Sequence, residues 1–215
     1  MTSTIAVQRL DGPQAAAAVD ALADVLIDCV EGGASVSFML PLARERAVAF
    51  WRKVADGVAR GERALLVARR MRDGCGARSG AAADGASDGA ADGAADGAAD
   101  GTFDGTFDEM RDGEIVGTVQ LVLDLPENQP HRADVAKMLV HRSARRQGVA
   151  LRLMQALDAV ARAQGRHVLV LDTVTGGDAE RLYQRAGWQR AGDVPNYALM
   201  PDGAFCSTTF YYKHL

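Results

Sequence analysis

The sequence predicts an α/β (α+β) domain in which helices flank a central sheet, and three observations carry that expectation. Apolar strand-like runs alternate with segments of helical periodicity along the chain of 215 residues. A strand ending at Val140 feeds a basic, glycine-bearing turn that opens directly into a helix through Leu157. Further on, His167 to Thr173 (H-V-L-V-L-D-T) is a nearly continuous apolar run, the pattern of a strand buried on both faces.

Taken in order, Ile5 to Leu10 reads as a short strand, punctuated by Asp11-Gly12-Pro13. Gln14 to Val30 reads as one amphipathic helix through Ala18, Leu22, Val25, Leu26 and Cys29, stopped by Gly32-Gly33. A connection bearing Phe38 and Met39 leads to a second helix over Leu42 to Ala59, with Val48, Trp51, Val54 and Val58 as its apolar set. Arg63 to Arg69 and Glu114 to Leu123 are the next strands, and Arg132 to Val140 is the strand before the basic turn. The helix from Gln147 ends near Gln164-Gly165, a short helix spans Ala179 to Ala186, and Ser207 to Lys213 closes the chain as a strand.

Between the second and third of these strands lies a low-complexity stretch, about 76–110, in which Asp recurs every four residues from Asp84 to Asp108. Each glycine in a helix there would cost about 1 kcal/mol relative to alanine. With Phe103 and Phe107 nearly alone as apolar residues, the stretch cannot offset the entropy of ordering and is expected to be a disordered insert in a single domain spanning 1–215. Its four-residue period fits neither the nine-residue calcium repeat nor the EF-hand loop.

Charge and cysteine content narrow the classes. The net charge of -4 conceals an acidic insert, because residues 80–110 hold eight acidic groups and no Lys or Arg. The remainder carries 24 basic against 20 acidic side chains, a mild excess that suits an anionic cofactor and is too weak and dispersed for nucleic acid. Cys29, Cys75 and Cys206 are odd in number and lack metal-ligand spacing, and the four histidines (His131, His141, His167 and His214) are scattered. Reduced thiols, no metal and a cytoplasmic location are the expectation, with no signal peptide and no bilayer-spanning run.

The chemistry centres on the turn after Val140. A strand feeding a glycine-bearing turn at a helix N-terminus aims several unpaired N–H groups at one point, and the helix dipole adds positive charge there. Such a site suits a pyrophosphate. Arg145-x-x-Gly148-x-Ala150 resembles the acetyl-CoA pyrophosphate loop of the GNAT N-acetyltransferases. Ala179-x-x-Leu182-Tyr183-x-x-x-Gly187-Trp188 resembles the helix that follows in that family. The order of the strands agrees. Within the family, Val30 to Met39, Ala133 to Val140, Leu171 to Thr173 and Asn196 to Gly203 are similar to the tabtoxin resistance group, which acetylates a toxin bearing an amine and a β-lactam.

The resemblance implies a GNAT fold: a mixed, mostly antiparallel central sheet splayed between two parallel strands. It implies acetyl-CoA as cosubstrate and direct acetyl transfer to a small-molecule amine. The pantetheine arm would lie along the backbone of Met138, Leu139 and Val140, and the pyrophosphate against Arg145, Arg146, Gln147, Gly148, Val149 and Ala150. Tyr183 matches the thiolate-facing tyrosine and is the candidate general acid, the competing account being a ring packed in the core. Asp134 and Asp172 are the candidate bases, the competing account for each being a solvated or capping carboxylate. Acceptor contacts are expected from Gly33, Ser35 and Phe38 and from a late loop, Pro195 to Asp202, through Tyr197. Gly176 stands where the family often has Asn, and Arg142 where it often has Pro. Two other readings remain: acetylation of a protein or peptide N-terminus, and a CoA-binding module without catalysis. A homodimer is compatible with the chain.

Overall fold

The structure, a computed structural model, describes residues 4–71 and 113–215. The insert expected at about 76–110 therefore lies outside the described residues. Among the described residues seven strands form one sheet: β1 (Ile5–Leu10), β2 (Arg63–Arg70), β3 (Glu114–Val122), β4 (Arg132–Val140), β5 (Val168–Val174), β6 (Gln189–Leu199) and β7 (Phe205–His214). Their spatial order is β1-β2-β3-β4-β5-β7-β6. All neighbours are antiparallel except β4 and β5, so the mixed sheet and its single parallel pair are those the sequence predicts.

Helices cover both faces. On one side pack α1 (Gly12–Ala17), α2 (Val19–Glu31) and α3 (Arg44–Ala59); on the other packs α4 (Val149–Ala163), with α5 (Asp178–Arg185) following β5. Strand β2 shows why both faces need cover. Ala64, Leu66 and Ala68 point into the α4 core, while Leu65 and Val67 point into the core under α2 and α3. Trp51 of α3 is fully buried in that second core, as its spacing predicts.

Three boundaries differ from the sequence reading. The helix expected over Gln14 to Val30 is two helices meeting at Ala18, whose ψ of -3° ends the first. Asp11 caps α1 through a reciprocal bond with Gln14, and Gly12 sits where any Cβ would meet Ala59 of α3 at 2.9 Å. The bend at Ala18 lets α1 press on α3 while α2 lies on the sheet. The late loop expected over Pro195 to Asp202 is, as far as Leu199, part of edge strand β6. That strand is almost wholly exposed and its register shifts between Val194 and Ala198. Pro195 and Asn196 (φ +52°) sit in that irregularity, which an edge strand tolerates because the missing donor faces no partner. Finally, α4 begins at Val149 rather than Gln147, after a 3-10 turn over Arg142–Ala144.

Arg142 does more than alter that turn. Its backbone N–H donates to Asp28 at 2.8 Å and its Nε to the same carboxylate at 2.7 Å, tying the turn after β4 to the end of α2. Burial alone would raise the Asp28 carboxyl, but these bonds and the nearby His141 hold it below the ordinary carboxylate range. A depressed folded value gives stability that is present above the unfolded value and lost as pH falls through the folded one. Asp28→Ala is therefore expected to cost about 1–3 kcal/mol near neutrality. Urea unfolding at about pH 7 and about pH 3 checks this. An equal cost at both values would show that the ion pair is not its source.

Candidate active site

The parallel pair supplies the site. β4 and β5 are paired only through Arg132↔Val168, Ala133↔Leu169 and Asp134↔Val170, and beyond that point they part. On its other edge β4 carries a bulge: Thr118 pairs with Leu139 and Gln120 with Ala136, so Lys137 and Met138 together face Val119. Lys137 takes up the extra residue with φ +52°, a left-handed conformation uncommon for a side chain of its size. Beyond the parting lies a cleft of about 850 Å³, walled by Val135 to Met138 of β4, Asp172 to Val174 of β5, Gly177 to Ala179 and Tyr183 around α5, and the Gly32 to Met39 segment. Tyr197 to Met200 and Thr208 close it from β6 and β7.

At the end of β4 the chain turns into α4. Gly148 is the N-cap residue with φ +76° and no side chain caps the helix, so the first-turn N–H groups are left for an anion. A Cβ on Gly148 would meet nothing within 4 Å, so the glycine is needed for its left-handed backbone and for open approach. Arg146 is also left-handed, at φ +62°. Arg145 lines the cleft and donates through Nε to the Val140 carbonyl at 3.2 Å. An unpaired strand edge leading to an open, uncapped helix N-terminus fits an extended arm that ends in a pyrophosphate.

Tyr183 belongs to both core and cleft. Its ring packs 6.0 Å from Trp188 and 5.9 Å from Tyr211, while the residue forms part of the cleft wall. Burial, with the Asp172 charge adding to it, pushes its phenol well above the usual range, so it stays protonated near neutrality. Asp172 opens onto the same cleft. Burial of its surroundings raises its carboxyl above the ordinary range; the Lys137 charge opposes that rise and Asp134 adds to it. Asp134 is on the same face of the neighbouring strand, opposite Val170, but is not part of the cleft wall. It is ion-paired with Arg132.

On the acceptor side, Gly33 (φ +84°), Ser35, Phe38 and Tyr197 all line the cleft. Their duties differ. The Ser35 hydroxyl donates to the Leu199 carbonyl at 2.9 Å, and the Leu40 N–H to the Pro201 carbonyl at 2.9 Å, fastening the Gly32 to Met39 segment over the end of β6. Phe38 is buried against Phe50, edge to face at 5.4 Å. Tyr197 is exposed and stands edge to face with Phe210.

Lys137 and Ser37 also line this wall, and the sequence reading named neither. The signal was a lone lysine inside the apolar strand A-D-V-A-K-M-L-V; only the bulge turns it into the cleft. Among the described residues no group of three or more His, Cys, Asp or Glu side chains is disposed to hold a metal ion. None of the helices among the described residues is long and apolar enough to cross a membrane.

The sheet thus parts between its parallel strands, an uncapped helix N-terminus follows the parted strand, and a buried tyrosine forms part of the cleft wall. The family described as Acetyltransferase (GNAT) family matches residues 92–188, which contain β3 to α5. Over those residues the chain is similar to the acetyltransferases of that family. Solved structures agree on the fold. An N-acetyltransferase from Staphylococcus aureus Mu50 is 16% identical, with 99% of each chain covered and a TM-score of 0.65. A ribosomal-protein-alanine N-acetyltransferase from Brucella melitensis is 18% identical over 98% of this chain and 99% of its own, with a TM-score of 0.64. The protein yncA from Salmonella typhimurium, solved with its cofactor acetyl-CoA, is 14% identical over 98% of this chain and 94% of its own, with a TM-score of 0.65.

Proposed function

We propose that this enzyme acetylates a small-molecule amine by direct transfer, with Asp172 as base and Tyr183 as acid. The observation that carries the reading is that these two side chains face one cleft at the parting of β4 and β5. Bound acetyl-CoA supplies the activated thioester. Met138, Leu139 and Val140 offer the strand edge for its pantetheine arm, and the turn from Arg145 through Ala150 offers the cradle for its pyrophosphate. As the amine nitrogen bonds to the carbonyl carbon and the carbon–sulfur bond breaks, Asp172 takes the proton from nitrogen. Tyr183 gives a proton to the departing sulfur, which leaves with the bonding pair, and the tyrosine is reprotonated from solvent. A raised carboxyl is a better base, and a raised phenol stays protonated until it is needed. Asp134, tied to Arg132, serves the charge balance of Asp172 in this reading rather than the proton itself.

A small acceptor is favoured over a protein terminus because the Gly32 to Met39 segment is fastened across the acceptor end by Ser35 and Leu40. The likeness of four segments to the tabtoxin resistance group makes an amine carrying a β-lactam a member of the panel to be tested. Release of CoA, followed by thiol titration with a panel of amines that includes β-lactam dipeptide analogues, tests the proposal. Turnover of one acceptor is expected, with Tyr183→Phe reducing kcat at least about tenfold at unchanged acetyl-CoA affinity. Failure of the wild type to bind acetyl-CoA would sink the reading.

A further inference from the structure

Lys137 has no assigned duty, yet its surroundings are specific. Its Nζ donates to the Ser37 hydroxyl at 3.1 Å and sits 5.7 Å from the centroid of the Phe50 ring. Its backbone is held left-handed by the β4 bulge, so the side chain is directed into the cleft by the strand's own irregularity. Burial pulls the Lys137 ammonium below its ordinary range, and Asp172, on the neighbouring strand in the same wall, opposes that fall and helps keep it charged. Yet no ion pair joins them, and among the described residues Lys137 has no carboxylate partner. Arg63 adds a second positive charge nearby. A half-buried ammonium with one hydroxyl, one aromatic face and no counter-ion retains donors for an anion that enters with the acceptor.

We infer that Lys137, steadied by Ser37, receives the carboxylate of the acceptor, so that the substrate class is an amino-acid-type molecule whose amine faces Asp172. The inference rests on the acetyltransferase reading above and narrows its substrate. Opposite charges on adjacent strands, kept apart, match a molecule carrying an amine and a carboxylate a few bonds apart. A protein N-terminus does not satisfy them, because its α-carboxyl is consumed in the peptide bond. A plain alkyl amine would leave the ammonium of Lys137 desolvated and unpaired, which is the arrangement by which a polar site rejects an analogue lacking its partner group.

The test uses three matched sets with the wild-type enzyme: the protein L-amino acids with the β-lactam dipeptide analogues, their carboxamides, and their decarboxylated amines. CoA release and acetyl-CoA affinity are measured for each. At least one carboxylate-bearing amine is expected to exceed its carboxamide and its decarboxylated amine by about 100-fold in kcat/KM. In Lys137→Met that ratio is expected to fall at least tenfold, mainly through KM, with acetyl-CoA affinity retained; Lys137→Arg should restore part of it. Equal turnover of acid, carboxamide and amine by the wild type overturns the inference and leaves acetyl transfer standing. So does acetyl-CoA binding with no carboxylate-bearing amine turned over. An equal fall for all three sets in Lys137→Met would reduce the lysine to a support for the Ser37 segment. Loss of acetyl-CoA binding by the wild type itself would overturn both readings.

Discussion

Asp172→Asn is expected to lower kcat/KM by about 10²- to 10⁴-fold, the range of a positioned general base, with acetyl-CoA affinity little changed. The substitution keeps the shape at the end of β5 and removes only the capacity to take a proton. Because burial sets the Asp172 carboxyl above the ordinary range, wild-type activity should fall on the acid side as pH drops through that raised value. The sign follows from the proposed role: a carboxylate base works only when ionised, so protonation would remove it. In Asp172→Asn the residual rate should lose this limb. A pH profile of kcat/KM for both enzymes decides the matter. An acid limb that persists unchanged in Asp172→Asn would transfer the role to another group, Asp134 being the nearest carboxylate along the parallel pair.

Lys213→Met is expected to lower stability by about 3–5 kcal/mol. Lys213 of β7 meets Asp158 of α4 at 2.5 Å, and its Nζ also donates to the Ala186 carbonyl at 2.7 Å, just beyond α5. Both side chains are largely buried, at 16% and 13% exposure, so removing the lysine strands a carboxylate whose other oxygen already lacks a hydrogen bond. The pair joins three elements around the helix that presents Tyr183. Asp158→Leu combined with Lys213→Met should recover much of the loss, because the expense lies in the orphaned charge rather than in the absence of the bridge. Urea denaturation of the two single variants and the double variant measures this. A double variant no better than Lys213→Met alone would place the loss in packing.

The features legible in the sequence are those written in local chemistry. Gly148 needed a left-handed turn and a close approach, and a glycine after a basic run at a helix start states that directly. The apolar runs of β2 and β3 were legible as strands, and their burial on both faces is what central strands require. Tyr183 and Trp188 were readable as a pair from their helix and its closing Gly187. By contrast, β6 carries Gly192, Pro195 and Asn196 and scarcely any buried residue, so nothing local distinguishes it from a loop. It is a strand because β7 is there to pair with it. The bend at Ala18 has no glycine or proline to announce it and exists because α1 and α2 dock on different surfaces.

The site divides along the same line. Which residues are candidates to carry protons, and which backbone is a candidate cradle for a pyrophosphate, was legible in the sequence through motif and resemblance. Which of two aspartates faces the cleft, and that a lysine stands beside it, is set by where β4 and β5 part and by a single extra residue in the β4 bulge. Both are properties of pairing between strands distant in the chain. One residue of slip in a strand exchanges its two faces. The tertiary structure alone therefore decided that Asp134 binds Arg132 while Lys137 and Asp172 share the wall of the cleft.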